Sequence, residues 1–357
     1  MEQTERQLVS LLSEITPLYD VPMREAKARQ DALAKPPGSL GLLEDLSVQL
    51  AGITGQVKNE VSHTRIYVLA ADNGVVCEGV SSAPQSVTRA QAINLTRGLT
   101  GASCLAKHFG DELVVADMGI ALPYACPEIL NRSLGKGTAN IAAGPAMARQ
   151  TAVRGILTGM GLAAQAKRDG IQILGVGEMG IGNTTTSSAV ASVLLGRPVA
   201  EMTGRGAGLS DAGLQRKIDA IERGIARNHP DAADPLGVLA ALGGFDIAGL
   251  CGVFLGGARY RVPIVMDGFI SGVAALCAVR LCPAAEKAVF ASHVSSEPAA
   301  HIVLDALCKK PLITAELHLG EGTGAVASLP LWDMALAVYN GCYSFAEGGI
   351  TPYTPQC

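Results

Sequence analysis

The chain has 357 residues, which suits about two domains or one large α/β domain with an appendage. Apolar residues make up 48% and charged residues only 17%, so a large buried core is expected. The net charge of −4 provides no basic surface, which argues against nucleic acid as a partner.

No membrane or metal signal is present in the sequence. The start, MEQTERQLVSLL, lacks the apolar core of a signal peptide. The apolar runs 247–258 and 269–279 are shorter than the ~20 residues of a membrane helix, and we interpret them as buried elements. The nine cysteines form no CxxC pair, so we expect buried, reduced thiols in a cytoplasmic protein. The six histidines lack zinc-site spacing.

Helices are predicted at both ends of the chain. Residues 4–34 have apolar positions at helical spacing, KPPGSLG at 35–41 interrupts them, and a further helix is expected over 42–53. Late helices are expected over 297–308, 311–318 and 325–343. We expect residues 1–60 and 297–357 to form a small helical domain beside a larger domain at 61–296.

From residue 65, short apolar strands alternate with longer helical stretches. This pattern predicts an α/β domain with a Rossmann-like parallel sheet between two layers of helices. Strands are expected at 66–71, 113–116, 171–174 and 263–266, and each leads to a carboxylate and a glycine, namely Asp72, Asp117, Glu178 and Asp267. Ligands of open α/β sheets bind at the carboxyl ends of strands, so the substrate site is expected there.

The segment GVGEMG at 175–180 matches the GxGxxG pattern, and the following helix is expected to open with Asn183 as a capping residue. Free amides at that helix start favour a phosphate. Glu201, about 20 residues further on, would complete a dinucleotide fingerprint, so an NAD(P)-dependent oxidoreductase is one alternative. Because Glu178 would face the pyrophosphate, a mononucleotide phosphate is the better interpretation.

Other polar segments are further candidates. A second glycine-rich loop at 204–210 precedes a helix with Lys217, and lysine binds phosphate as a point charge. SSAPQSVT at 81–88 leads into a helix with Gln91, suited to a flat heterocycle. In SHVSSEP at 292–298, Ser295 or Ser296 is a helix cap that can meet phosphate. His293 lies beside these serines, but without a GxSxG elbow we do not expect a serine hydrolase.

The segment LGEGTG at 319–324 places Glu321 among three glycines, which let the backbone bend and a ligand approach closely. Glu321 is therefore a candidate general base. KPPGSLG at 35–41, ADNGVVCEGVSSAPQSVT at 71–88, GVGEMGIGNTT at 175–185, MDGF at 266–269 and LGEGTGA at 319–325 occur in this order. Together they resemble the nicotinate-nucleotide–dimethylbenzimidazole phosphoribosyltransferase family over about residues 8–350.

The resemblance implies transfer of the phosphoribosyl group of nicotinate mononucleotide to 5,6-dimethylbenzimidazole, for cobalamin synthesis. The products are α-ribazole 5′-phosphate and nicotinate. It also implies a homodimer. The leaving pyridinium is already cationic and no pyrophosphate is released, so we expect no metal or other cofactor. Mg²⁺ at Asp72, Asp117 and Asp267 is a lesser alternative. A non-catalytic nucleotide- or benzimidazole-binding protein is another.

The resemblance also assigns individual residues. Glu321 is the general base. The residues implied for substrate binding are Pro84, Gln91, Met179 and Leu319 at the base, Gly180, Lys217 and Ser295 at the nucleotide and its phosphate, Glu178 and Asp267 at the acidic edge, and Asn183 and Gly320 within the matching motifs. Family members often have histidine at Asn73, and serine or tyrosine at Ala83. Because Ala83 falls at the expected base pocket, the preferred base stays open.

Overall fold

A computed structural model describes residues 2–353. Its centre is a parallel sheet of six strands in the order β3-β2-β1-β4-β5-β6. The strands are β1 Thr64–Ala71, β2 Glu112–Gly119, β3 Leu130–Asn131, β4 Ile173–Met179, β5 Ile264–Met266 and β6 Val289–Ala291. The strand order reverses between β1 and β4, and this switch point is where ligands of such sheets bind.

Fourteen α-helices surround the sheet in the described residues. They are α1 Gln3–Ser13, α2 Asp20–Ala32, α3 Leu42–Thr54, α4 Ser86–Thr96, α5 Gly101–Phe109, α6 Arg149–Arg168, α7 Asn183–Leu195, α8 Val199–Met202, α9 Asp211–Asn228, α10 Pro235–Leu242, α11 Phe245–Tyr260, α12 Phe269–Leu281, α13 Ala300–Ala306 and α14 Thr323–Gly341. Short 3₁₀ helices occupy Gly74–Glu78 and Pro283–Ala288.

The two faces of the sheet bury two separate cores. Alternate residues of β1 point to opposite faces, as in any strand. Tyr67 and Leu69 join the core with α6, α7, α11 and α12, whereas Ile66 and Val68 join the core with α3, α5 and α14. The predicted three-layer α/β architecture is therefore confirmed.

The apolar runs 247–258 and 269–279 lie in α11 and α12, and nearly all residues of the two runs are buried. The sequence interpretation of these runs as buried elements is confirmed. Across residues 2–353, none of the helices combines the length and the apolar character that a membrane crossing requires.

The terminal helices divide between two environments. Helices α2, α3 and α14 share a small core formed by Ala26, Leu33, Leu50, Ala51, Leu336 and Tyr339. Helix α1 packs instead on α6 and α11, with Leu8 in the larger core, and α13 packs on α12. The domain limits expected at 1–60 and 297–357 stay a prediction.

Several predicted elements need correction. The helix expected over 311–318 is wrong, because this segment is irregular and hydrogen-bonds to residues 292–296. For example, the amide of Val294 donates to the carbonyl of Ile313 at 3.1 Å. The late helix begins at Ala300 with Ala299 as its N-cap, so neither Ser295 nor Ser296 caps it. The short strands β3 and β6 were not expected.

The cysteine prediction is partly wrong. The eight described cysteines are all free, as expected. Of these, Cys251 and Cys277 are buried, whereas Cys77, Cys104 and Cys308 are exposed. Cys357 lies outside the described residues.

Candidate active site

Glu321 is on a loop with an unusual backbone. Gly320, Glu321 and Gly322 have φ angles of 81°, 63° and 88°, all in the left-handed region. A non-glycine residue held there costs about 1–3 kcal/mol, and such residues cluster at functional sites. The side chain of Glu321 is only 5% exposed and lines a cleft beyond the carboxyl ends of β4 and β5. The loop therefore fixes a buried carboxylate at the edge of the sheet where ligands bind.

Asp267 fastens this loop to the sheet. It directly follows β5, and its Oδ2 accepts a hydrogen bond from the amide of Gly322 at 3.0 Å, while its Oδ1 accepts one from the amide of Gly324 at 2.7 Å. Burial raises the pKa of Asp267. Since both amides belong to the start of α14, Asp267 sets the position of Glu321 relative to β5.

Gly177 of β4 allows the same loop to pack closely. A Cβ atom at Gly177 would lie 2.2 Å from the Gly322 nitrogen and 2.4 Å from the Glu321 carbonyl carbon. Residues 175–179 belong to strand β4, not to a turn, so the interpretation of GVGEMG as a dinucleotide fingerprint is wrong. Glu201 lies in the short helix α8 and does not end a strand. In this protein the motif admits the backbone that carries Glu321.

Glu178 forms an acidic cluster at the end of β4. The side-chain amide of Asn183 donates to Glu178 Oε2 and, at 3.1 Å, to Asp246 Oδ2. Burial, with the negative charge of Asp246, raises the pKa of Glu178 to about 8, and burial raises the pKa of Asp246 to about 6. The expectation that Asn183 caps α7 is wrong, because the N-cap is Gly182 and no side chain caps the helix.

The other side of the cleft carries a cation. Lys217 on α9 is fully buried, and its ammonium donates to Thr184 Oγ1 at 2.9 Å and to the carbonyl of Gly204 at 3.0 Å. Burial lowers the pKa of Lys217 to about 8. An ammonium has three donors, and within residues 2–353 only two of these find partners. Thr184 lies in the first turn of α7, where free amides also favour an anion.

One cleft of about 950 Å³, which includes the part open to solvent, collects most of the predicted site residues. Those that line it are Gln91, Glu178, Met179, Gly180, Asn183, Asp267, Ser295, Leu319, Gly320 and Glu321. Lys217 lies behind Thr184 and 3.6 Å from the Cβ position of Gly206, both of which line the cleft. Pro84 is exposed on the turn before α4 and is not part of the lining.

Sequence reasoning missed further residues of this site. The lining also includes Val87, Ile181, Thr184, Gly206, Ala207, Gly268, Phe269, Ile270, Ser271, His293, Glu297 and His318. Most of these lie within or beside segments that the sequence singled out, so proximity to a motif was the available signal. The sequence signal for Asp246 was weaker, because this residue is a lone acid at the start of an apolar run.

The remaining strand-end acids fasten loops. Asp72 Oδ2 accepts from the amide of Ala121 at 2.8 Å, and Asp117 accepts from the amide of Ile120 at 2.7 Å and from the Tyr124 hydroxyl at 2.8 Å. In residues 2–353, no group of three or more His, Cys, Asp or Glu is arranged to hold a metal ion.

Ser292 and His293 form a hydrogen-bonded pair, with Ser292 Oγ 3.0 Å from His293 Nδ1. Ser292 is completely buried, so its hydroxyl cannot reach a substrate. This geometry agrees with the sequence argument against a serine hydrolase.

Comparison with known proteins identifies the family. The family model DBI_PRT, described as phosphoribosyltransferase, matches residues 15–350. The chain belongs to this phosphoribosyltransferase family, and the resemblance stated from the motifs is confirmed.

Named relatives cover nearly the whole chain. A protein of Acetivibrio thermocellus named nicotinate-nucleotide–dimethylbenzimidazole phosphoribosyltransferase is 46% identical over 98% of this chain and 99% of its own length. One of the same name from Ruminiclostridium cellulolyticum is 47% identical over 93% and 95%. The crystal structure of CobT from Thermus thermophilus superimposes with a TM-score of 0.89 at 39% identity, over 93% of this chain and 100% of that one.

Proposed function

We propose that this protein transfers the phosphoribosyl group of nicotinate mononucleotide to 5,6-dimethylbenzimidazole or a related base. The products are nicotinate and α-ribazole 5′-phosphate, in the assembly of the cobalamin nucleotide. The observation that carries the proposal is that one cleft is lined by the buried carboxylate Glu321 and by Thr184, whose hydroxyl accepts a hydrogen bond from the ammonium of Lys217 directly behind the lining. The names of the relatives supply the identity of the two substrates.

The proposed chemistry follows from the charges of the reactants. The pyridinium leaving group already carries a positive charge, so its departure needs no general acid. The bond breaks toward an oxocarbenium-like sugar, as in glycoside chemistry. The benzimidazole attacks through one ring nitrogen, and Glu321 accepts the proton from the other. Attack opposite the leaving group converts the β donor into the α product.

We place the incoming base between Gln91 on α4, Met179 at the end of β4 and Leu319. The side chain of Leu319 is 58% exposed at the mouth of the cleft, so it offers apolar area that a bound base would cover. The phosphate lies toward Lys217, Ser295, Gly180 and the first turn of α7. In this arrangement Asp267 holds the loop that carries the base catalyst. For Pro84 we propose only a contact with the base at the periphery of this site.

The testing experiment is a chromatographic product assay with purified protein, nicotinate mononucleotide and a panel of bases that includes dimethylbenzimidazole and adenine. We expect nicotinate and a new α-ribotide to appear together, without added metal. Nucleotide binding with no product from any base would support a non-catalytic binding protein instead. The relative rates identify the preferred base, which Ala83 leaves open.

We further propose a homodimer in the cytoplasm. Met334 and Val338 are exposed on the outer side of α14, which supports a partner surface there. The free state of the eight described cysteines supports a reducing compartment. Light scattering of the purified protein tests the dimer, because a mass of one chain would contradict it.

A further inference from the structure

The side-chain amide of Asn183 hydrogen-bonds to two buried carboxylates at the cleft, those of Glu178 and Asp246. Asn183 Nδ2 carries two hydrogens, and it donates one to Glu178 and one to Asp246. Asp246 is fully buried and Glu178 is 8% exposed. Two buried carboxylates that share one amide donor disfavour each other's ionisation, so at neutral pH one of them keeps a proton.

The surroundings decide which carboxylate keeps the proton. Asp246 lies in the first turn of α11, where the helix dipole favours a negative charge, and its Oδ1 accepts from the amide of Ile247 at 3.0 Å. Within residues 2–353, Glu178 has only Asn183 as a hydrogen-bond donor. Asp246 is thus the better place for the charge, and Glu178 the better place for the proton.

The other charged groups near Glu178 act in the same direction. Asp246 from α11, Asp267 beyond β5 and Glu321 from the 319–322 loop all face it, and all are acids. Asp72 beyond β1 faces Asp246. Each negative charge disfavours ionisation of Glu178, and burial adds to the effect, in agreement with its pKa of about 8.

We propose that Asp246 is a positioning residue that keeps Glu178 uncharged, so that Glu178 donates a hydrogen bond to an acceptor atom of the bound substrate. This inference rests on the proposed transferase function. Glu178 Oε2 is occupied by Asn183, which leaves Oε1 to carry the proton, and Glu178 lines the cleft beside Gly320. A neutral donor here adds no second negative charge next to Glu321. No proton leaves Glu178 during the reaction.

The first test is an infrared titration of protonated carboxyl groups, which needs no activity. In the wild type we expect a buried carboxyl band at pH 7 that disappears as the pH passes about 8. The band is absent from Glu178→Gln, and in Asp246→Asn it disappears about 1–3 pH units lower, because one facing charge is gone. The matched control is Asp117→Asn, a strand-end acid that does not face Glu178, and it leaves the band unchanged.

A band that survives Glu178→Gln, or one that Asp246→Asn does not shift, would overturn the proposal. Thermal melting shows whether each variant folds. If Asp246→Asn does not fold, Asp246→Ala takes its place for the shift of the band, and Glu178→Gln still decides whether Glu178 carries the proton, because only a proton on Glu178 makes its band vanish.

The second test is the pH profile of kcat/KM. We expect the activity of the wild type to fall above about pH 8, with one contribution from Glu178 and one from Lys217. In Glu178→Gln, whose amide still donates, only the Lys217 contribution to this alkaline limb remains. Asp246→Asn moves the limb to lower pH, and the double variant behaves like Glu178→Gln. A merely structural Asp246 would change stability and leave the limb in place. If the wild type has no transferase activity while the infrared band behaves as expected, the proposed function fails and the protonation of Glu178 stands.

Discussion

Substitution of Gly177 by alanine is expected to displace the carboxylate of Glu321, the proposed general base, without touching it. The new Cβ would lie 2.2 Å from the Gly322 nitrogen, whereas an ordinary contact begins at 3.4 Å. Both contacting groups are backbone, so the loop and β4 must separate by the difference, about 1.2 Å. A misplacement of about 1 Å at a reacting group costs about 100-fold in rate, or about 2.7 kcal/mol of barrier. Overpacking adds about 1–3 kcal/mol of lost stability.

The assay is steady-state kinetics together with urea unfolding. We expect kcat to fall about 100-fold, with nicotinate mononucleotide binding retained, because Lys217 and Thr184 lie on the other side of the cleft. The matched control is Gly161→Ala on α6, where a Cβ meets nothing within 4 Å, and full activity is expected. Wild-type kcat in Gly177→Ala would refute the reasoning that this glycine positions Glu321.

Three further predictions test the remaining parts of the site. Glu321→Ala is expected to lose about 10²–10⁴-fold in turnover while calorimetry still detects the nucleotide, with the exposed Glu316→Gln as an unaffected control. Nucleotide affinity is expected to weaken as the pH rises through about 8, because Lys217 then loses its positive charge. Lys217→Met should raise Kd and abolish that pH dependence, and an unchanged pH dependence would remove Lys217 from the phosphate site. Asp267→Asn places a side-chain amide against the backbone donor of Gly322, so we expect the free energy of unfolding to fall by about 1–3 kcal/mol and kcat to decrease. If the free energy of unfolding and kcat are both unchanged, Asp267 does not hold the loop of Glu321.

Local patterns predicted the elements that depend on local chemistry. The helices around KPPGSLG were predicted because apolar spacing and proline act within a few residues. Lys35 in that segment forms an ion pair with Glu44 at 2.6 Å. The presence of a lysine in the sequence did not reveal which acid is its partner. The 311–318 segment was predicted wrongly because its non-helical conformation depends on hydrogen bonds to residues 292–296.

In the candidate site, too, some features follow from the sequence and others only from tertiary contacts. The sequence alone determined the α/β class, the carboxylates at the strand ends and, through the order of its motifs, the family and Glu321 as the expected base. Only the tertiary structure decided that Gly177 admits the loop of Glu321, and that Asn183 joins Glu178 to Asp246. Gly177 and Gly322, like Glu178 and Asp246, lie far apart in the chain. Close packing and charge interaction act through space, and no local pattern records which distant residues they bring together.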